Sequence, residues 1–346
     1  MTLGKMVFLS SGETSQTGGQ VFRNIAASLP KGFRVSVLET PAGFELNSAE
    51  VAQRVADSIL LRMGDLAPRI DVIPARRKGT PFSPDSPEVA ERLQTADLIF
   101  MGAGSPTYAV RQLRDSRTWR TMLACWQQGA ALVMASASAI AAGKYALPVY
   151  EIYKVGEEPD WKPGLDLLGP LGWKLAVVSH WNNTDGGEEL DTSRCFIGRE
   201  RFDGLRRLLP ADVVVLGLDE HTAAILDWDS RKASVEGKGK ITIIRDGRET
   251  VHAAGSAFAL EELGAYRLPA EPFGVERECW EDIRMRRAAD RAEPVPPPEL
   301  SELIAAREQA RKNGDFVKAD ALRADIERLG WKVMDTPDGP MARPDR

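Results

Sequence analysis

The first half of the chain alternates two kinds of segment, which differ in how their apolar residues are spaced. Short segments that are apolar almost throughout are typical of strands buried on both faces of a sheet. Longer segments between them carry apolar residues at helical spacing. The predicted strands are residues 6–9, 34–38, 70–73, 97–101 and 131–134, and the predicted helices are residues 21–29, 48–63 and 116–128. This alternation predicts an α/β fold in which a mostly parallel sheet lies between two layers of helices.

After residue 147 the pattern becomes less regular. Residues 148–171 contain several prolines and glycines and little periodicity, so we interpret them as an excursion from the sheet. Strands are predicted again at residues 175–178 and 213–216, with a helix at 198–209 between them. Short alternating strands follow from 221 to 253, with a hairpin turn at Asp246-Gly247, and a helix is predicted at 276–289.

A proline-rich segment divides the chain near its C-terminus. Residues 293–298 read Glu-Pro-Val-Pro-Pro-Pro, a composition that favours extended polyproline geometry and forms a semi-rigid spacer. Beyond it, apolar residues recur at helical spacing on both sides of Asn313-Gly314, which predicts a small helical hairpin. We therefore expect an α/β domain at residues 1–275, a helix and linker at 276–298, and a C-terminal helical hairpin at 299–346.

Composition and charge narrow the class of protein only a little. With 346 residues, of which 43% are hydrophobic, the chain can bury a large core. Its net charge of −5 argues against nucleic acid or an anionic membrane as the main partner of the whole chain. No segment reaches the roughly 18 apolar residues of a transmembrane helix, and the first residues do not resemble a signal peptide. We predict a cytoplasmic protein without a membrane partner. A homo-oligomer is among the oligomeric states that the sequence leaves open.

The cysteines agree with a cytoplasmic location. Cys125, Cys195 and Cys279 are far apart in the sequence and lack the spacing of a metal site. An odd number at such spacing indicates reduced thiols rather than a disulfide framework. We expect neither a metal nor another cofactor.

Candidate catalytic residues follow the predicted strands, at the sheet edge where α/β proteins bind ligands. The first group is the turn Gly102-Ala103-Gly104, after the strand that ends at residue 101. Small residues in such a turn let backbone N–H groups approach a ligand closely. By itself, however, this sequence also suits an ordinary strand-to-helix turn.

The second candidate is Ser136, in the sequence Ala-Ser-Ala-Ser-Ala after the strand at residues 131–134. A serine on a sharp strand-to-helix turn projects its hydroxyl from the sheet edge, where backbone N–H groups can stabilise an oxyanion. The alternative is that Ser136 or Ser138 only caps the following helix, as serine often does.

The third group combines His180, after the strand at residues 175–178, with Glu220, after the strand at 213–216. A histidine within reach of the serine can act as its general base, and a carboxylate behind the histidine fixes its tautomer. The order serine, histidine, glutamate differs from that of α/β-hydrolases, in which the acid precedes the histidine.

Taken together, these residues resemble the serine peptidase family of cyanophycinase and dipeptidase E, over roughly residues 5–260. The matching residues are Phe100 to Pro106 with Leu113, Ser136 to Ala139, His180, Arg199, Arg201, Leu205, Leu218 to Ala223, Gly237 to Gly239 and Arg245 to Gly247. The resemblance implies a class I glutamine amidotransferase-like (flavodoxin-like) fold, a three-layer α/β sandwich. It also implies that a small peptide or amide is hydrolysed through an acyl-enzyme.

The same resemblance implies a role for each matching position. Ser136 would be the nucleophile, His180 its base and Glu220 the residue that orients the histidine. The oxyanion hole would be formed by backbone N–H groups at Gly102, Ala103, Gly104 and Ala137. The positions that would bind substrate are Ser138, Arg199, Arg201 and Asp219.

The chain departs from the family pattern beside the serine. The family has glycine two residues before and two residues after the nucleophile, where this chain has Met134 and Ser138. Larger side chains in a strained turn can re-aim the nucleophile. Near His180 the polymer-binding positions of cyanophycinase are not kept, so cyanophycin is not the expected substrate. The alternatives are therefore a site that uses Ser138 as its nucleophile and a catalytically inactive binding protein of the same fold.

The C-terminal tail has a resemblance of its own. Leu303-Ile304, Arg307, Ala310-Arg311, Asp315-Phe316 and Asp335 to Gly339 resemble the extreme C-terminus of cysteinyl-tRNA synthetases. A His-Ile-Gly-His adenylate-forming signature is absent from the sequence, so we do not expect synthetase activity. Residues 299–346 contain 9 Lys or Arg against 10 Asp or Glu, a net charge of −1, whereas RNA binding needs excess positive charge. We expect a packing or protein-interaction hairpin, with tRNA as the alternative partner.

Overall fold

The computed structural model describes residues 2–291, 297–336 and 339–344. The chain forms two compact units that divide after Arg287. Most of the proline-rich linker predicted from the sequence, residues 292–296, lies outside the described residues.

Strands and helices alternate through the first half of the first unit, as the sequence predicts. Its strands are β1 (Met6–Leu9), β2 (Arg34–Leu38), β3 (Arg69–Ile73), β4 (Leu98–Met101), β5 (Ala131–Ala135), β6 (Tyr145–Ala146), β7 (Lys162–Pro163), β8 (Leu175–Val178), β9 (Val214–Leu218), β10 (Thr222–Asp227), β11 (Lys232–Gly237), β12 (Lys240–Arg245), β13 (Arg248–Ala253) and β14 (Ala257–Ala259). Its helices are α1 (Gln16–Ala26), α2 (Ser48–Met63), α3 (Pro87–Glu91), α4 (Pro106–Leu113), α5 (Arg117–Trp126), α6 (Ala137–Ala142), α7 (Arg199–Leu208) and α8 (Arg277–Arg291). The first unit ends within α8, at Arg287. Among the helices that the structure describes, none is long and apolar enough to cross a membrane.

Eight strands form the main sheet, in the order β14-β11-β10-β1-β5-β4-β2-β3. The strands from β1 to β3 in this order are parallel. Beyond β1, the strands β10, β11 and β14 continue the sheet in antiparallel fashion. Parallel strands end at the same edge of a sheet. The turns that follow β1, β4 and β5, which end at Leu9, Met101 and Ala135, therefore lie close together.

Alternate residues of the parallel strands face two separate cores. Val7, Phe100 and Val133 pack with residues of α1 and α2 on one face. Phe8, Leu132 and other residues of the opposite face pack with α3 and α5. The prediction of a three-layer α/β sandwich with a mostly parallel sheet is confirmed.

A second sheet of four strands, in the order β13-β12-β9-β8, completes the first unit. Its parallel strands β8 and β9 end just before His180 and Glu220. Helix α7 covers this sheet, since Phe202 and Leu205 share a core with residues of β8 and β9.

Two short helices were not predicted from the sequence. Helix α4 begins where Ser105 Oγ accepts a hydrogen bond from Tyr108 N at 3.2 Å, with Pro106 at the first helical position. Helix α3 likewise follows a serine and a proline. The irregular segment 148–171 lies outside the main sheet, and contains one turn of π-helix at Glu151–Val155.

The second unit contains two helices followed by two strands, which are α9 (Pro298–Lys312), α10 (Phe316–Arg328), β15 (Trp331–Thr336) and β16 (Gly339–Pro344). The predicted helical hairpin is confirmed, and Gly314 between the helices has a φ of 74°. The structure adds a β-hairpin that the sequence did not predict, and its turn, residues 337–338, lies outside the described residues. Leu300, Ile326, Trp331 and Val333 form the small core of the unit.

Candidate active site

Ser136 lies on a sharp turn between β5 and α6. Its φ of 51° and ψ of −113° fall in a region that non-glycine residues rarely adopt. Two bonds hold the turn: Ser136 N donates to Leu9 O at 2.9 Å, and Ser179 Oγ donates to Ser136 O at 3.2 Å. A backbone conformation of this kind costs about 1–3 kcal/mol, and it persists only where the surroundings impose it.

The side chains of Ser136, His180 and Glu220 form a chain of contacts. Ser136 Oγ lies 2.9 Å from His180 Nε2. On the other side of the imidazole ring, His180 Nδ1 lies 3.1 Å from Glu220 Oε1. When Nδ1 carries the proton and donates it to the carboxylate, Nε2 is left as an acceptor for the serine hydroxyl. The structure thus brings together three residues that are separated by 44 and 40 positions in the sequence.

The buried hydroxyl of Ser10 positions the backbone of His180. His180 N donates to Ser10 Oγ at 2.7 Å, and Ser10 Oγ donates to Leu218 O at 3.1 Å. Ser10 therefore connects the ends of β1, β8 and β9. His180 itself has a φ of 53°, which is uncommon for a residue with a Cβ and needs such support.

Two asparagines hold Glu220, and the sequence did not identify either as a functional residue. Asn183 Nδ2 donates to Glu220 Oε1 at 2.9 Å, and Glu220 N donates to Asn182 Oδ1 at 2.7 Å. Hydrogen bonding from His180, followed by that from Asn183, lowers the pKa of Glu220 to about 2. Glu220 is therefore a carboxylate at neutral pH. The only sequence signal for this pair is that two amides follow the strand-end histidine.

In the glycine turn after β4, Gly104 is the residue that lies near the Ser136 turn. Gly104 has a φ of 141°, and a Cβ there would lie 1.9 Å from Pro41 O, so only glycine fits. Gly104 and Ala137 line the same cavity as Ser136. Ala137 is the first residue of α6, where backbone N–H groups have no partner within the helix. Gly102 and Ala103 are not among the described residues that line this cavity.

Met134 and Ser138, which replace glycines of the family pattern, are both accommodated inside the protein. The Met134 side chain is buried in the core beneath the sheet. Ser138 Oγ is fully buried and lies 2.7 Å from Met101 O and 2.8 Å from Ala135 O, the two carbonyls that share its single proton. The structure therefore does not bring Ser138 to the substrate side, because its hydroxyl joins the turn to β4 instead.

The other three predicted substrate-binding residues lie away from the cavity at Ser136. Arg199 and Arg201 are exposed on the first turn of α7, where Arg201 Nε donates to Ile197 O at 2.6 Å. Asp219 is buried, and its carboxylate accepts a hydrogen bond from Lys240 N at 3.0 Å. Burial raises the pKa of Asp219. In the part of the chain that the structure describes, none of these three side chains lines the Ser136 cavity.

The Ser136 cavity has a volume of about 210 Å³ and mostly apolar walls. Besides Ser136 and His180, its lining includes Ile140, Val149, Tyr150, Tyr153, Lys154 and Phe196. Four of these residues come from the irregular segment 148–171, which has no periodicity from which to place them. The serine hydroxyl and the imidazole thus face a small apolar compartment.

Cys195 also lines the Ser136 cavity, and it is fully buried. Burial raises the pKa of its thiol to about 12, so the thiol is protonated at neutral pH and is a poor nucleophile. Among the described residues, no group of His, Cys, Asp or Glu side chains is arranged to hold a metal ion.

The strand order and the two helical layers define the first unit as a three-layer α/β protein. A solved structure of a peptidase from an acI-B1 Actinobacterium is similar to this chain, with a TM-score of 0.59 and 19% sequence identity. The similarity covers 75% of this chain and 97% of the peptidase. At this level of identity the similarity establishes the fold, and it confirms the fold that the sequence resemblance implied.

The tail is similar to a different family. Residues 293–341 match the family model of the cysteinyl-tRNA ligase anticodon binding domain. The cysteine–tRNA ligase of Nocardioides sp. is 38% identical over 89 residues, which are 26% of this chain and 17% of the ligase. That of Halorhodospira halophila is 30% identical over 159 residues, or 44% of this chain and 32% of the ligase. The chain spans less than a third of the length of these relatives.

Proposed function

We propose that the first unit is a serine hydrolase that cleaves a small peptide or amide with Ser136 as nucleophile. The observation that carries this proposal is the pair of distances on the two sides of one imidazole ring, 2.9 Å to Ser136 Oγ and 3.1 Å to Glu220 Oε1. A serine that only capped a helix would need neither a histidine at its hydroxyl nor a carboxylate behind that histidine.

The proposed reaction has two halves. Ser136 Oγ attacks the carbonyl carbon while His180 Nε2 takes its proton, and Glu220 stabilises the imidazolium that results. N–H groups at Gly104 and Ala137 stabilise the oxyanion. The C–N bond then breaks as His180 returns the proton to the leaving amine. In the second half, His180 takes a proton from water and the hydroxide attacks the acyl carbon. The bond from that carbon to Ser136 Oγ then breaks as His180 returns the proton to Oγ, which releases the acid and restores Ser136.

A fluorophosphonate probe, which labels activated serines, tests this function. We expect one label on Ser136, identified by peptide mass, that is lost in Ser136→Ala and His180→Ala. Ser138→Ala is the matched control and should still be labelled, because Ser138 is buried away from the cavity. A folded protein that is not labelled would instead support the alternative, a binding protein of the same fold.

A second candidate function is that the tail contacts tRNA. The match of residues 293–341 to an anticodon binding domain favours this role. The charge of the tail does not, since residues 299–346 carry a net −1, from 9 basic and 10 acidic residues. Because phosphate contacts dominate affinity for nucleic acid, we expect tRNA to be retained on the full chain at low salt only.

Retention of labelled tRNA by the immobilised full chain measures this second function. Loss of retention between 50 and roughly 200 mM salt is the outcome expected from the charge. Retention that survives the higher salt and disappears in a Lys318→Glu, Arg323→Glu variant would instead establish the tail as a specific tRNA-binding element. Both residues are exposed on α10, so the substitutions leave its core intact.

A further inference from the structure

We propose that the substrate of the hydrolase occupies two adjoining compartments with different chemistry. An apolar side chain next to the scissile bond lies in the Ser136 cavity, and a carboxylate two to three residues away lies in a neighbouring basic cleft. The substrate class is thus a short acidic peptide that is cleaved at an apolar residue. This inference rests on the hydrolase function proposed above.

The Ser136 cavity selects an apolar group. Its walls include Ile140, Val149, Tyr153 and Phe196. Apart from His180 and the protonated thiol of Cys195, Lys154 is the one acidic or basic side chain among the described lining residues. Its Nζ lies 4.8 Å from the centroid of the Tyr153 ring. A basic substrate side chain would lose hydration there and meet a like charge, and an acidic one would have only the exposed Lys154 ammonium, already over the Tyr153 ring, to offset its lost hydration. An apolar side chain gains from leaving water.

The basic cleft is larger, with a volume of about 1010 Å³. Its lining includes Arg77, Lys78 and Arg111. In the described structure, none of these three forms an ion pair: Lys78 Nζ donates to Arg114 O at 2.8 Å, and the Arg111 guanidinium lies 5.2 Å from the Tyr108 ring centroid. Arg76, the residue before Arg77, differs in this respect, because its Nε lies 2.6 Å from Glu39 Oε2.

Two carboxylates, Glu45 and Glu151, also line the basic cleft. Glu151 Oε1 accepts a hydrogen bond from Thr107 at 2.5 Å, so this carboxylate is already engaged. Three cations against two carboxylates leave a charge of +1 in the cleft. Arginine binds carboxylates with two parallel hydrogen bonds, and both Arg77 and Arg111 are exposed and available for such contacts.

The two compartments adjoin one another. Tyr150 lines both, and Ser105 of the basic cleft lies between Gly104 and Pro106 of the Ser136 cavity. Arg111 follows Pro106 by five residues on α4, which corresponds to about 8 Å along the helix axis. An extended peptide covers about 3.3–3.6 Å per residue, so two to three residues span the separation between Pro106, which lines the Ser136 cavity, and the helical position of Arg111.

The test uses fluorescence-quenched hexapeptides with a central Phe, Asp or Lys, and with Glu or Gln two and three residues from it. A short ester, acetyl-phenylalanine p-nitrophenyl ester, serves as a substrate that does not reach the basic cleft. We expect kcat/KM to be about tenfold higher for the Phe peptide with Glu than for its Gln counterpart, since each guanidinium–carboxylate contact strengthens binding. Central Asp or Lys should lower kcat/KM by at least about tenfold.

Two single variants test whether the preference for the Glu peptide arises in the basic cleft. Arg111→Gln and Arg77→Gln should raise KM several-fold for the Glu peptide and much less for its Gln counterpart. Arg207→Gln, at an exposed position on α7, is the matched control and should leave KM unchanged.

The two proposals fail in different ways. If the ester is cleaved and Ser136 is labelled but Glu and Gln peptides are cleaved equally, the two-compartment substrate is wrong and the hydrolase stands. An equal KM for the Glu peptide in wild type and in both arginine variants overturns it as well. If neither ester cleavage nor labelling occurs, the hydrolase proposal itself is wrong.

Discussion

The side-chain amide of Asn183 donates its hydrogen bond to Glu220 Oε1, the same oxygen that faces His180 Nδ1. Asn183 is buried and its own Oδ1 accepts from Asp185 N at 3.1 Å, so both ends of the amide are fixed. The amide therefore sets the rotamer of the carboxylate that orients the histidine. Under the proposed function, Asn183 therefore acts through Glu220, as a positioning residue and not a catalytic one.

We predict that Asn183→Ala lowers kcat on the ester about tenfold or more and leaves KM unchanged, because a hydrogen bond to a charged group contributes about 1.5–3 kcal/mol. Asn183→Asp should lower kcat further, since two carboxylates would then repel one another. Thr184→Ala, at the exposed neighbouring position, should behave as wild type. Equal kcat values for wild type and Asn183→Ala would show that Glu220 needs no such support.

Gly104→Ala should disrupt the site through the backbone. The added Cβ would lie 1.9 Å from Pro41 O, at a φ of 141° that residues with a Cβ rarely adopt. We expect a loss of more than about 2 kcal/mol in the free energy of unfolding, measured in urea, together with loss of probe labelling. Gly79→Ala is the matched control: its φ is 74° and its Cβ would meet no atom within 4 Å. A left-handed residue in open space should lose only about 1–2 kcal/mol, with labelling retained.

Glu220 makes the stability of the protein depend on pH at the acid end. Its pKa is lowered from 4.5 to about 2, chiefly by the hydrogen bond from His180. A carboxyl whose pKa is lower in the folded state stabilises that state above its unfolded pKa, and this contribution is lost as pH falls through the folded pKa. We predict that wild type exceeds Glu220→Gln in unfolding free energy at pH 6, and that the difference shrinks between pH 4.5 and about 2.

Urea titrations of both proteins at several pH values measure this difference, and a His180→Ala background supplies the control. Without the imidazole, the pH-dependent part of the difference should become smaller. A difference that stays constant from pH 6 to pH 3 would mean that the carboxyl is not stabilised in its charged form.

In the second unit, Arg307 connects α9 to β15. Its Nη1 and Nη2 lie 2.8 and 3.1 Å from the two carboxylate oxygens of Asp335, and these contacts lower the pKa of Asp335 to about 2. The Arg307 side chain is only 7% exposed, so Asp335→Asn would leave a buried guanidinium without its counter-charge. We predict faster hydrogen exchange of β15 amides in Asp335→Asn at pH 7, and unchanged exchange in Lys312→Gln, whose ammonium is exposed.

The sequence located the three residues of the Ser136 contact chain because each lies one or two residues beyond the end of a buried apolar strand. The ends of β5, β8 and β9 were visible in the pattern of apolar residues, and parallel strands deliver such ends to one edge. Periodicity carries no information on where side chains of irregular segments point. For this reason Tyr150, Tyr153 and Lys154, which lie in or beside a single π-turn, could not be placed.

The direction of a side chain within a tight turn could not be predicted from the sequence either. Ser136 and Ser138 are two residues apart in an alanine-rich segment, and both fit the pattern of a serine after a strand. The structure separates them through the backbone of Ser136, whose positive φ turns one hydroxyl to the cavity and leaves the other beneath the turn. Asn183 lies in a polar segment after the histidine that has no apolar periodicity, so the direction of its side chain could not be predicted.

The hydrogen bonds of Ser10 determine when the site can exist during folding. They join residues 170 and 208 positions apart in the chain. Closing such long loops is entropically unfavourable and, in small proteins, associated with slow folding. A chain emerging from the ribosome contains Ser136 long before β9 and Glu220 have been synthesised, so until then neither the bond from Ser10 to Leu218 nor the contact between His180 and Glu220 can form. Under the proposed function, an unfinished chain therefore contains Ser136 without a positioned base. The chain becomes able to hydrolyse substrate only late in its synthesis.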